Sequence, residues 1–347
     1  MARTLITPST AEVTRLSSPG RPRVVPREVL LPIAPPRKRS KGVRHPTRLP
    51  LLMFAATLAL MLVHQGGLVE FFYPLCAFGI ALLFYCRSPA HYLGFVCWLM
   101  FLTPEVQHLA DFVNGSSNAQ SALLVTPLLA VALTGFTLLK HIALLGHHRA
   151  MPLMLIVIAL LYAYVAGLAQ VSPADATFAL INWLYPVLVA FYLMVTWRHY
   201  PGYQRVLLKT LVYGGLLMSA YGVLEFVCPL PWDAFWRIAW KLVTAGQVPF
   251  GTRASSAMMG WPGTLLYATG IFMLLWRAFR ASRLRSNDLL AVCGVGVALA
   301  ILSMMMLVDT LNGLSGMLFF IGVTLPVISL RHARAHARHP SVSSASV

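Results

Sequence analysis

Apolar residues run through this chain in long unbroken blocks, not in the alternation of strands or the one-sided stripe of a soluble helix. The blocks fall at roughly 49–64, 68–86, 90–104, 121–139, 151–169, 178–196, 206–227, 262–277, 288–307 and 311–330. A helix needs about 20 predominantly apolar residues to cross bilayer hydrocarbon about 30 Å thick. The pattern therefore predicts an all-α fold, a polytopic transmembrane helical bundle of about ten spans. Gly66 and Gly67 are expected to break the first hairpin. No internal repeat of the kind that marks many secondary transporters is visible, which argues against a transporter or flippase.

Composition narrows the class further. Of 347 residues, 58% are hydrophobic and 11% charged, with a mean hydropathy of +0.72, whereas a soluble domain carries about 25% charged residues. A soluble enzyme is excluded. Two polar segments flank the apolar region. Residues 1–48 are Pro-rich and hold eleven Lys/Arg with no run long enough to insert, so they read as a disordered basic cytoplasmic tail. The same composition fits a transit peptide, and Pro35–Ser40 a nuclear signal, but a basic tail directly before a first span is what orients that span. No cleavable signal peptide precedes the span, which is expected to act as an uncleaved anchor. Residues 331–347, with Arg331, His332, Arg334, His336, Arg338 and His339, read as a second basic cytoplasmic tail.

The 27 Lys/Arg against 10 Asp/Glu would point to nucleic acid in a soluble chain. In a membrane protein, position matters more than number. With the N-terminus inside, 24 of the 27 fall on the cytoplasmic side, as the positive-inside rule requires. Glu70, Glu105, Asp111, Asp175 and Asp233 fall on the other. The expectation is a multi-pass protein of the bacterial inner (plasma) membrane with both termini cytoplasmic, in contact with membrane lipid and not with nucleic acid. Cys76, Cys86, Cys97, Cys228 and Cys293 contain no CxxC pair and read as small core residues. No metal ligand set and no cofactor is expected.

The three remaining cations, Arg237, Lys241 and Arg253, all lie in one extracytoplasmic loop, 228–261. Trp232, Trp236 and Trp240 recur there at i, i+4 and i+8, with Asp233, Arg237 and Lys241 as the adjacent stripe, so the loop is expected to contain one amphipathic helix lying in the membrane interface. The tryptophans serve either as an aromatic anchor at headgroup level or as stacking faces for sugar rings. Arg237, Lys241 and Arg253 have the chemistry to hold a diphosphate. Glu225, near the outer end of its span, is a candidate base. His64, Glu70, His108 and Asp111 fall near the same surface, where they are either part of an acceptor pocket or solvated residues of short loops.

Several segments resemble the O-antigen ligase and O-antigen polymerase superfamily, in particular its exopolysaccharide-cluster members. They are Tyr221-Gly222-Val223-Leu224-Glu225-Phe226, Pro231-Trp232-Asp233-Ala234-Phe235-Trp236, Pro249-Phe250 with Arg253 and Ser255-Ser256, Pro262-Gly263, and, earlier, Arg87–Phe95 and Phe101–Pro104. The resemblance covers roughly 49–330. It implies an inner-membrane protein of surface polysaccharide or exopolysaccharide assembly, a metal-independent glycosyltransferase that transfers or polymerises glycan from an undecaprenyl diphosphate carrier at the periplasmic face. It also implies that Arg253 binds the donor diphosphate. The chain departs from the pattern at Leu307–Gly313, where Asp309 stands near the position of a second arginine, and has Glu225 where glutamine is usual. No counterpart of the family's catalytic histidine loop is identifiable. These departures admit an alternative, a non-catalytic relative that binds lipid-linked glycan or scaffolds polysaccharide assembly proteins.

Overall fold

The computed structural model describes residues 47–115, 121–148, 150–228, 230–235, 250–304 and 313–338, with the side chains of 250–261, 304, 313 and 338 excepted. Among the described residues there are ten long α-helices and no strand. They are α1 (Arg48–Leu62), α2 (Gly66–Arg87), α3 (Pro89–Asn114), α4 (Ala122–Lys140), α5 (Met151–Leu168), α6 (Pro173–Val195), α7 (Tyr200–Val227), α8 (Phe250–Leu284), α9 (Leu289–Met304) and α10 (Gly313–Arg338). Among the described residues α2 to α7 and α10 are long and apolar enough to cross a membrane, while α1 and α9 are apolar but shorter. Large apolar side chains stand fully open on the outside of the bundle, among them Leu52, Phe71, Leu75, Phe136, Leu216, Phe226 and Phe272. Water penalises such a surface and lipid does not. The chain is a multi-pass helical membrane protein.

Helix boundaries follow local chemistry. Pro89 and Pro173 open α3 and α6, where a missing N–H costs nothing. Ser121 and Ser172 cap α4 and α6 by accepting from Leu123 N and Asp175 N. The first hairpin turns at Val63–Gln65, with His64 in the left-handed region at φ 58°, so Gly66 and Gly67 begin α2 and do not form the turn. A Cβ at Gly66 would meet the end of the exposed Asn114 side chain, which would have to swing aside. Three helices overrun their expected ends: α3 continues ten residues past Pro104, α8 already starts at Phe250, and α10 runs on through the His/Arg segment to Arg338. Of the cysteines only Cys97 is buried, while Cys86, Cys228 and Cys293 are exposed and Cys76 lies between.

The core has two parts. One gathers α1 to α4 with α6, α7 and α10, around Tyr73, Tyr92, Leu99, Leu193 and Tyr203. The other gathers α5, α6, α8, α9 and α10, around Ile156, Phe191, Phe319 and Phe320. Lipid supplies no hydrophobic drive between helices, so close backbone approach must do that work. Gly294 of α9 and Gly322 of α10 face each other so closely that a Cβ on either would collide with the other's carbonyl oxygen. Gly322→Ala is therefore expected to lower stability by about 1–3 kcal/mol, read as a lower unfolding midpoint in detergent. Gly296→Ala, which meets open space, should leave the midpoint unchanged; equal midpoints for both would contradict this packing.

Helices α3 and α7 run side by side in the same direction. Gly202 faces Ala90, Gly94 faces Val206 and Thr210, and Gly214 faces Phe101, so the register advances in step along both. At the starting end of α7 lies a buried polar knot. Asp288, 4% exposed, accepts from Tyr200 Oη at 2.6 Å, Ser329 Oγ at 2.5 Å and Gln204 Nε2 at 3.4 Å, and caps α9 through Ala291 N at 3.4 Å. One carboxylate thus ties α7, α9 and α10 together. The finishing ends of α3 and α7 carry the second polar cluster, and Tyr200 and Tyr221 are about 30 Å apart at 1.5 Å per residue. That is one hydrocarbon thickness.

Candidate functional site

The overrun of α3 beyond Pro104 builds the site. Glu105 and His108 are three residues apart, so on a helix they share a face, and the matched register of α7 sets Tyr221 across from them. Beyond the end of α7 the chain turns back. Asp233 N and Ala234 N donate to the Leu230 carbonyl at 3.1 and 3.0 Å, and 231–235 form a helical turn. Phe112 of α3 meets Trp232 and Phe235 edge-on, with ring centroids 6.4 and 6.1 Å away. These contacts press the turn onto the last turns of α3.

The result is an ordered relay. Trp232 Nε1 donates to Tyr221 Oη at 3.0 Å, and Tyr221 Oη donates to Asp233 Oδ2 at 2.6 Å. Each bond polarises the next. The other carboxylate oxygen, Oδ1, faces His108 Nδ1 at 3.5 Å. Asp233 is 3% exposed, a rare situation for a carboxylate unless it is paired. Glu105, half-buried, completes the group: one ligand atom from each of Glu105, His108 and Asp233 lies within 4.8 Å of the others. Glu105 Oε2 is buried and makes no hydrogen bond among the described residues. Glu105 is nonetheless hydrogen-bonded to Tyr221 and faces His108, Asp233 and Glu225 electrostatically, three carboxylates in all against one imidazole among the described residues. The arrangement is an anionic pocket at the end of the bundle, able to accept a proton or hold a cation.

The expected site residues fare differently. Asp233, expected as one position of an interfacial stripe, is instead buried inside the bundle's end, because Tyr221 and His108 satisfy it there. His108 and Asp111, expected in a short loop, are on α3, and Asp111 is 1% exposed, so it is not a solvated loop residue. His64 is exposed and Glu70 half-buried on α2. Trp232 is half-buried, with its N–H committed to Tyr221. Glu225 stands at the edge of the pocket, one helical turn beyond Tyr221. Trp236, Arg237, Trp240, Lys241 and Asp309 lie outside the described residues; Arg253 is in the first turn of α8, not in a loop, and its side chain is outside them too.

Sequence reading passed over Glu105 as a site residue. Its signal was the Glu-x-x-His spacing of Glu105 and His108, which puts two metal or proton ligands on one helical face. It was obscured by the assumption that the helix stops near Pro104. In fact Pro104 lies inside α3, where a proline can be absorbed in a membrane bundle.

Comparison with protein-family models, with curated proteins and with solved structures returned no match for this chain, so the resemblance to the O-antigen ligase and polymerase superfamily rests on its motif residues alone.

Proposed function

We propose that the chain transfers or polymerises glycan from a polyprenyl (undecaprenyl) diphosphate carrier at the outer face of the bacterial inner membrane, in surface polysaccharide or exopolysaccharide assembly. One observation carries the reading. Tyr221, Trp232 and Asp233, three residues of the segments that resemble the superfamily, form one hydrogen-bonded group, with His108 at ion-pair distance from Asp233 and Glu105 beside them. Motif residues that converge on buried acids are what acceptor activation needs. The acidic cluster also lies about one membrane thickness from the end that carries Arg198, Arg283, Arg285 and Arg331, in keeping with an outward-facing site.

In the proposed step the acceptor hydroxyl oxygen bonds to the anomeric carbon of the donor sugar as the bond from that carbon to the diphosphate oxygen breaks. The hydroxyl proton passes to the carboxylate cluster, and the diphosphate leaves still attached to its lipid. Positive charge must meet the leaving group, and Arg253, with Arg237 and Lys241, is the donor-side counterpart. The base assignment moves from Glu225 to the Glu105–Asp233 pair, because Asp233 is buried and oriented by Tyr221, and Glu105 lies beside it with a hydrogen bond to the same tyrosine. Trp236 and Trp240 keep their stacking or anchoring role as part of the same proposal.

Arg253→Ala tests the donor side. It is expected to leave protein abundance unchanged and to abolish polysaccharide extension or attachment in a deletion strain, with unextended lipid-linked units accumulating. Normal product length and amount in that variant would overturn the role of Arg253. The second reading, a relative that binds lipid-linked glycan or scaffolds the assembly without transfer, is favoured by Asp309 in place of an arginine. It predicts normal transfer in that variant, with loss of partner co-purification when Trp232, Trp236 and Trp240 are replaced.

A further inference from the structure

The end of the bundle opposite the Glu105 cluster gathers cations around two rings. Trp197 lies in the short helical turn Trp197–His199 that joins α6 to α7. The guanidinium carbon of Arg331 stands over its indole at 4.5 Å from the centroid, and that of Arg198 at 5.7 Å. His332 meets the same indole edge-on at 6.5 Å and packs on Tyr200 at 6.0 Å. Arg285, from the turn between α8 and α9, faces His332 and Tyr200 electrostatically. Three arginines from three separate segments thus converge at one end of the bundle.

Such a gathering repels itself, and the described carboxylates do little to offset it. Asp288 is the only one of them at this end, and both of its oxygens are engaged. Oδ2 accepts from Tyr200 and Ser329, and Oδ1 from Gln204 and the Ala291 N–H. Arg285 Nε is buried and makes no hydrogen bond among the described residues, a costly state for a charged donor. An anion shared by several guanidinium forks relieves both strains. A guanidinium laid by its face on an indole gains cation–π energy and keeps its donors in its own plane, the geometry that phosphate oxygens accept. The surroundings narrow the ligand further. Leu284 and Leu289 flank the Arg285–Asp288 turn and are 63% and 60% exposed; water penalises them and acyl chains do not. Tyr200 and Tyr221 stand one hydrocarbon thickness apart along α7, which sets Trp197 at headgroup depth, where tryptophans settle.

We propose that Arg198, Arg285 and Arg331, set around Trp197 and His332, bind one anionic phospholipid of the membrane through its headgroup phosphate. The guanidiniums hold the phosphate oxygens, the indole and imidazole form the wall beside the headgroup, and Leu284 and Leu289 take the upper part of an acyl chain. Zwitterionic lipid is disfavoured, because its cationic headgroup meets three arginines. Basic pockets between membrane helices recognise anionic headgroups in this way. The lipid ties α10 to the turns that follow α6 and α8, the region that Asp288 braces from within.

This inference is independent of the transfer reading. Full-length protein in a neutral detergent is titrated with phosphatidylglycerol, and binding is read as the rise in unfolding midpoint and as the lipid retained in native mass spectrometry. One lipid is expected to bind tightly, and phosphatidylcholine at least about 10-fold more weakly. Arg285→Gln/Arg331→Gln should weaken phosphatidylglycerol binding by about 10–100-fold, and Arg198→Gln, at an exposed position, by about 5-fold. Lys140→Gln, which removes a cation of α4 at the same end, should leave it unchanged. Inorganic phosphate should raise the midpoint no more than chloride at equal ionic strength. Equal affinity for the two lipids overturns the proposal, as does a phosphate effect that matches phosphatidylglycerol or an equal loss in Lys140→Gln and the arginine variants. Wild-type affinity in the double variant overturns it too; should that variant not fold, Arg198→Gln decides alone.

Discussion

Asp233→Asn is expected to give a folded protein whose glycan transfer is lower by about 10²–10⁴-fold, the range that a positioned acid–base group contributes. The asparagine fits the same volume, and its amide oxygen can accept from Tyr221 as the carboxylate does at 2.6 Å. What it cannot supply is negative charge toward His108 and the pocket. Asp233→Ala is the harsher variant, because it removes the shared partner of the half-buried Tyr221 hydroxyl and His108 imidazole, and a loss of protein is then expected together with the loss of activity. The comparison separates charge from architecture. Detergent-solubilised Asp233→Asn should elute as wild type from size exclusion while polysaccharide extension in the deletion strain fails. Wild-type extension by this variant would remove the carboxylate from the mechanism.

Asp288→Ala should produce the largest loss of stability, about 3 kcal/mol or more. The alanine leaves Tyr200, Ser329 and Gln204 with donors aimed at empty space and strips the cap from α9. Each buried unsatisfied donor costs about 1–3 kcal/mol and a lost cap about 1 kcal/mol. Asp288→Asn retains an acceptor oxygen for the cap and for one hydroxyl, so it should recover a good part of the loss. The check is the unfolding midpoint of the two variants in the same detergent. Equal and small shifts would mean that the knot does not hold α7, α9 and α10 together.

Much of the architecture was legible because a membrane helix announces itself by length and hydropathy alone. All ten apolar blocks correspond to helices, and the serine and proline signals before α3, α4 and α6 mark their starts. The errors have physical causes. The third apolar block was placed at 90–104, yet α3 continues through Pro104 and brings Glu105, His108 and Asp111 onto one helix. The Gly66-Gly67 pair was read as breaking the first hairpin, but His64 takes the left-handed conformation and the two glycines begin α2. Asp288 follows Ser286 and Asn287 just before an apolar block, a start signal for α9, yet its ties to Tyr200 and Ser329 join residues 88 and 41 positions apart. No local pattern carries such pairings. The site was half legible for the same reason. Tyr221, Trp232 and Asp233 were visible as a motif, whereas their partner, the Glu105–His108 face, becomes apparent only once α3 and α7 are in register.

In the proposed transfer, glycan leaves its lipid carrier at the pocket formed by Glu105, His108 and Asp233. The most direct test is to quantify lipid-diphosphate-linked glycan and polymer in a deletion strain carrying wild-type protein, Glu105→Gln or Asp233→Asn at equal membrane abundance. Polymer is expected with wild type alone, and accumulated unextended lipid-linked units with either variant. Normal polymer and no accumulation in both variants, or in the deletion strain itself, would contradict it.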